Sequence, residues 1–455
     1  MTDTAARGVF PLLTDRVSKN SAPLFAENLR RGAKPRSAWM CGVEFELFGY
    51  NPARDLARLE PSQVERVLAG FAPSSNDMVY EGGTLVEVNA GQMNRLTVGP
   101  GGQVEFSGAP QRSLCDVERE VRRYLARLRE IAEGCGFVFL AAGFDPLRAL
   151  DEQPWFPKAR YRVMRPYLAA RGARAWDMMT RTCAVQCNLD YGDEDDLRKK
   201  FLVGNRLAPV VCAVFANSPF EDGRPSGFKS TRAAAWLETD PDRSGLAPPA
   251  LSDDFTPERF AAYALGVPMI FAQREGLYFD GPGGVRFGDF LERGGGDAVR
   301  PVFGDWADHL TTLFTDARLK QHVELRSADC GDLASCLALQ ALWKGLLYDP
   351  ASLDEALRLA PRLNGEDAEH LRRAVARDAL AASHAGVNVL ALAKEIVRLA
   401  AEGLTRVAPE EVSYLDVLRE RVLHEEISPA DILLRDWHGR WHASMSKAVE
   451  HLRIA

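Results

Sequence analysis

Four short segments of the sequence place acidic and amide side chains at alternate positions between apolar ones. The first, GVEFELFGY at residues 42–50, sets Glu44 and Glu46 between apolar neighbours. Alternate residues of a β-strand point to the same face, so both carboxylates share one face. Two carboxylates so close repel each other, and burying them is costly unless a positive group neutralises them. The segment therefore predicts a strand whose polar face needs a positive partner.

The same alternation recurs in GGQVEFSG, TCAVQCNLD and HVELR, each of which opposes an apolar face to a polar one. The polar residues of these segments are Gln103, Glu105, Thr182, Gln186, Asn188, His322, Glu324 and Arg326. If the four strands share one sheet, the four glutamates 44, 46, 105 and 324 converge on a polar cavity. Carboxylates in that number suit Mg²⁺ or Mn²⁺ rather than zinc, and such an ion commonly presents phosphates.

A plainer interpretation exists for each strand. A strand with alternating glutamates is most often half exposed, with its acids in water. Four strands with the same acidic and amide character favour a site, but the pattern alone leaves both interpretations open.

Composition excludes several classes of protein. The chain has 455 residues and a net charge of −7, without the basic surplus that nucleic-acid binders usually show. The longest apolar run, residues 208–216, is too short to cross a bilayer. Residues 1–16 lack the pattern of a secretory signal, and the eight cysteines are scattered. These features predict a cytoplasmic protein with no membrane or nucleic-acid partner, and they leave the oligomeric state open.

The pattern of elements predicts an α+β protein. Strands are expected near residues 41–50 and 84–107, with a helix at 115–136 that ends on glycine. A polar loop is expected at 217–253, and the glycine-rich stretches 281–284 and 294–296 are predicted turns. The pattern is helical from about residue 331 onward. We expect a catalytic body over 1–330 and a helical part over 331–455, packed on it as one structural unit.

Many segments in one order give the chain a family resemblance. They are GVEFELFGY, GPGGQVEFSGAP, PKARYRVM, DMMTRTCAVQCNLDY, FANSPFEDGRPSGFKSTR, WLETDPDRSG, DWADHLTTLF, RLKQHVELRSAD and LWKGLLYD. The chain thereby resembles the plant-type glutamate–cysteine ligases. The resemblance implies a curved, mainly antiparallel sheet shared with glutamine synthetase and other carboxylate–amine ligases. It also implies ATP and Mg²⁺ (or Mn²⁺) in the hollow, and a glutamyl phosphate that the amine of cysteine attacks.

The resemblance also implies roles for individual residues. The implied metal ligands are Glu44, Glu46, Glu105 and Glu324. Gln186, Asn188 and Arg326 are expected to hold ATP, and Arg181, Arg232, Thr182 and Trp236 to bind substrate, with Arg326 and Arg181 acting in catalysis. For each arginine the alternative is a surface ion pair, and for Trp236 it is a place in the core.

Several positions depart from the family pattern. Gly99 stands where the family has a glutamate. The expected consequence is either a weakened metal site or a site in which Glu81 or Glu87 takes the place of the missing carboxylate. Such changes leave three alternatives to a glutamate–cysteine ligase. They are the same chemistry on another acid or amine, a non-catalytic binding protein that retains the fold, and a phosphotransferase that stops at an acyl phosphate.

Overall fold

The computed structural model describes residues 11–91, 93–280, 283–294 and 299–454. Residues 1–10, which form part of the segment used to predict the location, lie outside this range. So do parts of the two predicted glycine-rich turns, 281–284 and 294–296. Within the described ranges, no helix is long and apolar enough to span a bilayer.

A ten-stranded sheet forms the centre of the molecule. Its strands are β1 Cys41–Asn51, β2 Ala57–Arg58, β3 Met78–Glu81, β4 Thr84–Asn89, β5 Arg95–Val98, β6 Val104–Ser107, β7 Val138–Leu140, β8 Val185–Leu189, β9 Ala317–Leu319 and β10 Val323–Leu325. Eight of them follow the order β9-β10-β8-β1-β6-β5-β4-β3, while β2 and β7 pair with the end of β1. Their pairings are antiparallel, which confirms the predicted fold class.

Helices make up most of the rest of the described chain. They are α1 Ala22–Arg30, α2 Pro61–Ala69, α3 Leu114–Cys135, α4 Ala159–Ala169, α5 Ala175–Arg181, α6 Glu194–Arg206, α7 Ala208–Val214, α8 Thr231–Leu237, α9 Pro257–Gly266, α10 Phe287–Arg293, α11 Gly304–Thr311, α12 Leu333–Leu347, α13 Pro350–Leu359, α14 Gly365–Asp378, α15 Val389–Val407, α16 Asp416–Leu418, α17 Pro429–His438 and α18 Met445–Leu452. Short 3-10 segments lie at Lys19–Ser21, Arg36–Ala38, Pro52–Arg54, Ser75–Asp77, Leu150–Glu152, Pro248–Leu251, Ala379–Ala381 and Pro409–Leu415, and a π-helical turn at Arg419–Glu425.

Four small strand pairs lie outside the main sheet. They join Phe220–Glu221 to Arg224–Pro225, Ser244–Gly245 to Phe314–Thr315, Ala272–Arg274 to Leu277–Phe279, and Ser383–His384 to Val387–Asn388.

The alternating pattern of β1 explains its central place. Val43, Phe45 and Leu47 are buried on the face against which α3 and α12 pack. Gln340 of α12 also donates a hydrogen bond to the backbone carbonyl of Gln186 in β8. With this face closed by helices, the alternate residues of β1 face the opposite side of the sheet.

Local signals set the ends of the best-predicted helix. Ser113 accepts a hydrogen bond from the backbone N–H of Cys115 at the start of α3, and Gly136 ends it with a φ of 71°. The prediction of a loop over 217–253 was wrong in part, because α8 lies within it. Ser230 caps α8, and its backbone N–H bonds to Ala376 of α14, a contact that sequence spacing does not reveal.

Candidate active site

Polar side chains of neighbouring strands lie on one face of the sheet, in adjacent cross-strand rows. Glu46 of β1 lies opposite Glu105 of β6, and Glu44 lies opposite Gln186 of β8. Glu324 of β10 lies opposite Asn188 of β8, one row beyond the pair Glu44–Gln186. Directly paired residues of antiparallel strands share a face, with Cβ atoms about 5 Å apart. The register therefore brings these predicted carboxylates and amides to one face of the sheet.

Strand β8 orients both glutamates of β1. Glu46 accepts hydrogen bonds from the backbone N–H of Ala184 at 2.7 Å and from Gln186 Nε2 at 3.1 Å. Glu44 accepts one from Asn188 Nδ2 at 2.9 Å. The amides that alternate along β8 thus fix the direction in which the two carboxylates point.

Glu105 completes a group of three half-buried carboxylates. Its Oε2 accepts a hydrogen bond from Thr97 Oγ1 of β5 at 3.0 Å. Burial, reinforced by the charges of Glu44 and Glu46, raises the pKa of Glu105 to about 8. Burial also raises the pKa of each of the other two. This group, Glu44, Glu46 and Glu105, is called the carboxylate triad below, and it favours a positive ligand.

Glu324 has a different environment. It is fully buried and lies 2.5 Å from Arg318 Nη2 and 2.8 Å from Lys320 Nζ, and it also pairs with Arg326. Burial acts to raise the pKa of Glu324, but these three cations outweigh it and hold that pKa well below its ordinary value. The chain itself therefore supplies the positive partners of this fourth predicted carboxylate.

Arg326 joins the cationic group to the triad. Its Nη1 donates to Gln186 Oε1 at 2.7 Å, and Gln186 donates in turn to Glu46. Burial disfavours the charge of Arg326, but Glu324 and Glu44 raise its pKa. A charged guanidinium is therefore held beside the carboxylates through one bridging amide.

These groups border an open cavity of about 450 Å³. Its lining residues are Glu44, Glu46, Glu81, Glu87, Gly99, Pro100, Gln103, Glu105, Lys158, Arg160, Tyr161, Met164, Met178, Met179, Thr182, Ala184, Gln186, Arg232, Trp236, Tyr278, Phe314, Arg318 and Arg326. The acids lie mainly on the sheet, while basic and aromatic residues come from α4, α8 and the edge strands. A cavity of this size with opposed charges suits a small, polyanionic ligand.

Three of the residues predicted to bind substrate line this cavity. Arg232 of α8 donates from Nη2 to the backbone carbonyl of Arg326 at 2.9 Å. Trp236, one turn further on, packs edge-on against Phe314 at 5.6 Å between ring centroids. Its Nε1 is buried without a hydrogen-bond partner among the described residues. Thr182 donates its hydroxyl proton to a backbone carbonyl of α5 at 2.6 Å.

Arg181 lies elsewhere. Its guanidinium is within 3.0 Å of Asp177, 3.3 Å of Glu221 and 2.6 Å of Asp222, and it stacks over Phe144. Within the described part of the chain, Arg181 is not among the residues that line the cavity. These three acidic partners neutralise the positive charge of Arg181, which the resemblance had assigned to binding a substrate.

The loop at Gly99 contains one departure from the family pattern. A Cβ atom on Gly99 would lie 2.5 Å from Gln103 Oε1. That oxygen accepts a hydrogen bond from the Gly101 N–H at 2.8 Å, so Gln103 occupies the space beside residue 99. Glu81 and Glu87, the suggested substitutes, both line the cavity.

Sequence reasoning did not single out several basic and aromatic members of the site. They are Lys158, Arg160, Tyr161, Arg318 and Lys320. Their segments, PKARYRVM and RLKQHVELR, match the family pattern. The sequence therefore marked these segments as shared with the family, but it did not assign these five residues to the site. Arg318 lies opposite Glu324 in the β9–β10 hairpin, and burial lowers the pKa of Lys158 at the start of α4.

The donor set fits a hard divalent cation. The carboxylate triad offers oxygens that line the cavity and whose mutual repulsion such an ion offsets. Asn188 Oδ1 adds a buried acceptor that lacks a hydrogen-bond partner in the described structure. Oxygen donors of this kind are typical of Mg²⁺ and Mn²⁺ sites.

The antiparallel sheet with acidic side chains on one face is the arrangement that the resemblance to the carboxylate–amine ligases implied. The model of glutamate–cysteine ligase family 2 matches residues 40–451. The chain belongs to this family, and the predicted membership is confirmed.

Plant enzymes are among its relatives. The chain is 37% identical to glutamate–cysteine ligase B of Oryza sativa subsp. japonica over 448 residues, which cover 96% of this chain and 89% of the relative. It is 37% identical to the enzyme of Nicotiana tabacum over 429 residues, with coverage of 93% and 81%. For the enzyme of Arabidopsis thaliana the identity is 36%, with coverage of 96% and 85%.

Solved structures share the fold. A glutamate–cysteine ligase from Francisella tularensis in complex with AMP aligns with a TM-score of 0.54 and 14% identity, covering 91% of this chain and 88% of that one. A bifunctional glutathione synthetase from Pasteurella multocida also gives 0.54, with 11% identity and coverage of 95% and 54%. At these identities the likeness is one of fold alone.

The predicted cytoplasmic location is contradicted by these relatives. The enzymes from Oryza, Nicotiana and Arabidopsis are chloroplastic proteins. The prediction relied on the pattern of the first residues and on scattered cysteines, and neither feature reports a compartment directly. We therefore withdraw it.

Proposed function

We propose that this protein is an ATP-dependent ligase that joins the γ-carboxylate of L-glutamate to the amine of L-cysteine. The observation that carries the proposal is the cavity that a half-buried carboxylate triad and several arginines line together. Family membership supports the choice of glutamate and cysteine. The cavity chemistry supports ATP, because phosphates need both cations and arginines around them.

The carboxylate triad would hold Mg²⁺ or Mn²⁺. When bound, the ion offsets the negative charge of the ATP phosphates. The contribution of the chain is to keep the carboxylates in place before the ion and the nucleotide arrive. Asn188, Gln186 and Thr97 do this through the hydrogen bonds described above.

The guanidinium group of Arg326 would bind the phosphoryl group that is transferred, and Arg318, whose Nε and Nη2 both donate to Glu324, would add positive charge beside it. A planar guanidinium binds phosphate oxygens through two parallel hydrogen bonds. Glu324, predicted as a fourth metal ligand, is assigned in this proposal to holding these two arginines. An oxygen of the glutamate γ-carboxylate attacks the terminal phosphorus, and ADP leaves. The cysteine amine then attacks the acyl carbon, loses a proton and displaces phosphate.

The α8 side of the cavity would bind the acid substrate. Arg232 offers a positive charge there, and Trp236 offers a buried N–H without a partner among the residues described. Thr182 lies on the same wall. Arg181 has no place in this proposal, because Asp177, Glu221 and Asp222 already surround its guanidinium.

A second candidate is the same chemistry on another acid or amine. The observation that favours it is Gly99, where the family pattern has a glutamate and this chain has no side chain. A missing carboxylate at the rim of the cavity changes which charged substrate the site tolerates.

The first test is release of ADP by the purified chain with Mg-ATP and glutamate, with and without cysteine, and with products identified by mass spectrometry. We expect cysteine-dependent ADP and a product with the mass of γ-glutamylcysteine. Turnover only with other acids or amines would select the second candidate. No turnover with any pair would contradict both.

Two matched variants test the site itself. Glu46→Gln keeps the shape of the side chain but removes its charge, and we expect ADP release to fall at least about 100-fold. Glu133→Gln changes an exposed glutamate of α3 and serves as the control, with activity unchanged. Equal activity of the two variants would remove Glu46 from the proposed metal site.

A further inference from the structure

A group of three metal-ligating side chains lies away from the cavity, on α14 and the small strand pair that follows it. Asp367 and His370 belong to α14, and His384 belongs to the strand Ser383–His384. One ligand atom from each lies within 4.8 Å of the others. His384 Nε2 is 2.9 Å from Asp367 Oδ1, and the rings of His370 and His384 are 5.2 Å apart.

The start of α14 orients Asp367. Asn364 caps the helix, and its Oδ1 accepts a hydrogen bond from the Asp367 N–H at 2.8 Å. Its Nδ2 donates to Asp367 Oδ2, also at 2.8 Å. One carboxylate oxygen is thereby held, and the other lies toward His384. The spacing of three residues places Asp367 and His370 on one face of the helix.

The hairpin that contains His384 holds this residue in a defined position. Ala385 and Gly386 have φ values of 48° and 80°, so both residues of the two-residue turn are left-handed. This is the conformation of a tight hairpin turn of the I′ type. Its register pairs His384 with Val387, which fixes His384 at the residue immediately before the turn.

A simple hydrogen bond between His384 and Asp367 accounts for two of the three residues but not for the third. His370 is exposed, and nothing in its helical position requires its ring to meet His384 edge-on. Two imidazoles and one carboxylate converging on one point are the ligands of many zinc sites that keep a fourth position for water.

We infer that Asp367, His370 and His384 form a binding site for a divalent transition metal of the zinc type. Two ligand atoms on one zinc ion lie about 3 to 4 Å apart, a spacing that the pair His384–Asp367 already approaches. Rotation of the exposed His370 side chain brings in the third ligand. The hydrogen bonds from Asn364 orient the carboxylate as outer partners of metal ligands commonly do.

Binding there would connect the hairpin to a helix that supports the cavity. The backbone N–H groups of Lys229 and Ser230, which precede α8, both donate to Ala376 of α14. Helix α8 carries Arg232 and Trp236. The metal would therefore stabilise this part of the fold without touching the reacting groups.

The test is titration of the full-length chain with Zn²⁺, followed by calorimetry, in excess Mg²⁺ to fill the hard-oxygen sites. All proteins carry Cys115→Ser, so that this exposed thiol does not compete for the metal. We expect one zinc ion per chain and a visible spectrum of tetrahedral type when Co²⁺ replaces it. His370→Gln and His384→Gln should each weaken binding at least about tenfold.

His424→Gln, a change at an exposed histidine outside the group, is the matched control and should bind as the parent does. Because His370 is exposed, its variant should keep the far-ultraviolet circular dichroism and the melting temperature of the metal-free parent. Absence of zinc binding in the parent would overturn the site. So would undiminished binding in either histidine variant, or an equal loss in the His424 control.

Discussion

At residue 105 the chain keeps a carboxylate that its surroundings disfavour. Glu105 lines the cavity, where partial burial and the charges of Glu44 and Glu46 disfavour its ionised form. Buried like charges that serve a ligand commonly lower the stability of the free protein. We therefore attribute the energetic cost of keeping Glu105 to its use in ligand binding, because this residue does not stabilise the fold.

This leads to a prediction on stability. At pH 7 and in the absence of divalent ions, Glu105→Gln should raise the free energy of unfolding by about 1 to 3 kcal/mol. The pKa of Glu105, raised to about 8, means that folding forces this carboxyl to take up a proton at pH 7, a cost that the amide avoids while its oxygen can still accept from Thr97. Urea denaturation in the presence of a chelator measures this. With Mg²⁺ added, the wild type should gain stability and the variant should gain less. A variant that is less stable than the wild type without metal would contradict the prediction.

At the scale of elements, a buried ion pair joins β2, which pairs with the end of β1, to the loop that follows β7. Arg58 of β2 lies 3.1 Å from Asp145, and both side chains are at most 1% exposed. Arg58 also donates to the Gly101 carbonyl at 2.9 Å, and Asp145 accepts from the Tyr50 hydroxyl at 2.9 Å. Burial acts to raise the pKa of Asp145, but Arg58 and several hydrogen bonds hold it below its ordinary value.

Removing the cation should be costly. Arg58→Met leaves Asp145 buried without its partner, and we expect a loss of about 3 to 5 kcal/mol in the free energy of unfolding. Arg54→Met is the matched control, because Arg54 and Glu60 form an ion pair in which both side chains are more than half exposed. That change should cost less than about 1 kcal/mol. Equal effects in denaturant titrations would show that burial does not decide the strength of the Arg58 pair.

At the scale of the whole molecule, the carboxyl-terminal helices complete the core of the sheet. Thirteen of the fifteen residues of α12 are buried. Lys344 of α12 pairs with Glu411 at 2.7 Å, and Glu411 accepts from the Leu114 N–H at the start of α3. Near the end of the chain, Arg453 forms a backbone bridge with Leu140 of β7. The division at residue 330 remains a prediction, and these contacts favour one structural unit across it.

Expression of residues 1–330 alone tests that prediction. Without α12 the apolar face of β1 and β8 would be open to water, so we expect the fragment to lack a cooperative unfolding transition. Near-ultraviolet circular dichroism and binding of a hydrophobic dye report this directly. A fragment that melts cooperatively with native-like spectra would establish residues 1–330 as an independent domain.

The sequence alone predicted much of the sheet and part of the site. Alternation at Glu44 and Glu46 predicted a strand with one apolar and one polar face. The same pattern predicted β6 and β8, which pair with β1, and β10, which pairs with β8. The loop predicted over 217–253 was wrong where α8 forms. A seven-residue helix has few periodic positions, and its stability comes from packing rather than from local propensity.

The sequence by itself determined which residues alternate, and so which side chains share a face, because strand geometry has a period of two. It also determined the family, because many short segments occur in one order. Only the tertiary structure decided which charges meet. Glu324 is paired with Arg318, Lys320 and Arg326, whereas the carboxylate triad faces the cavity. Ion pairs depend on strand register and on loops that close distant parts of the chain, and local spacing contains neither.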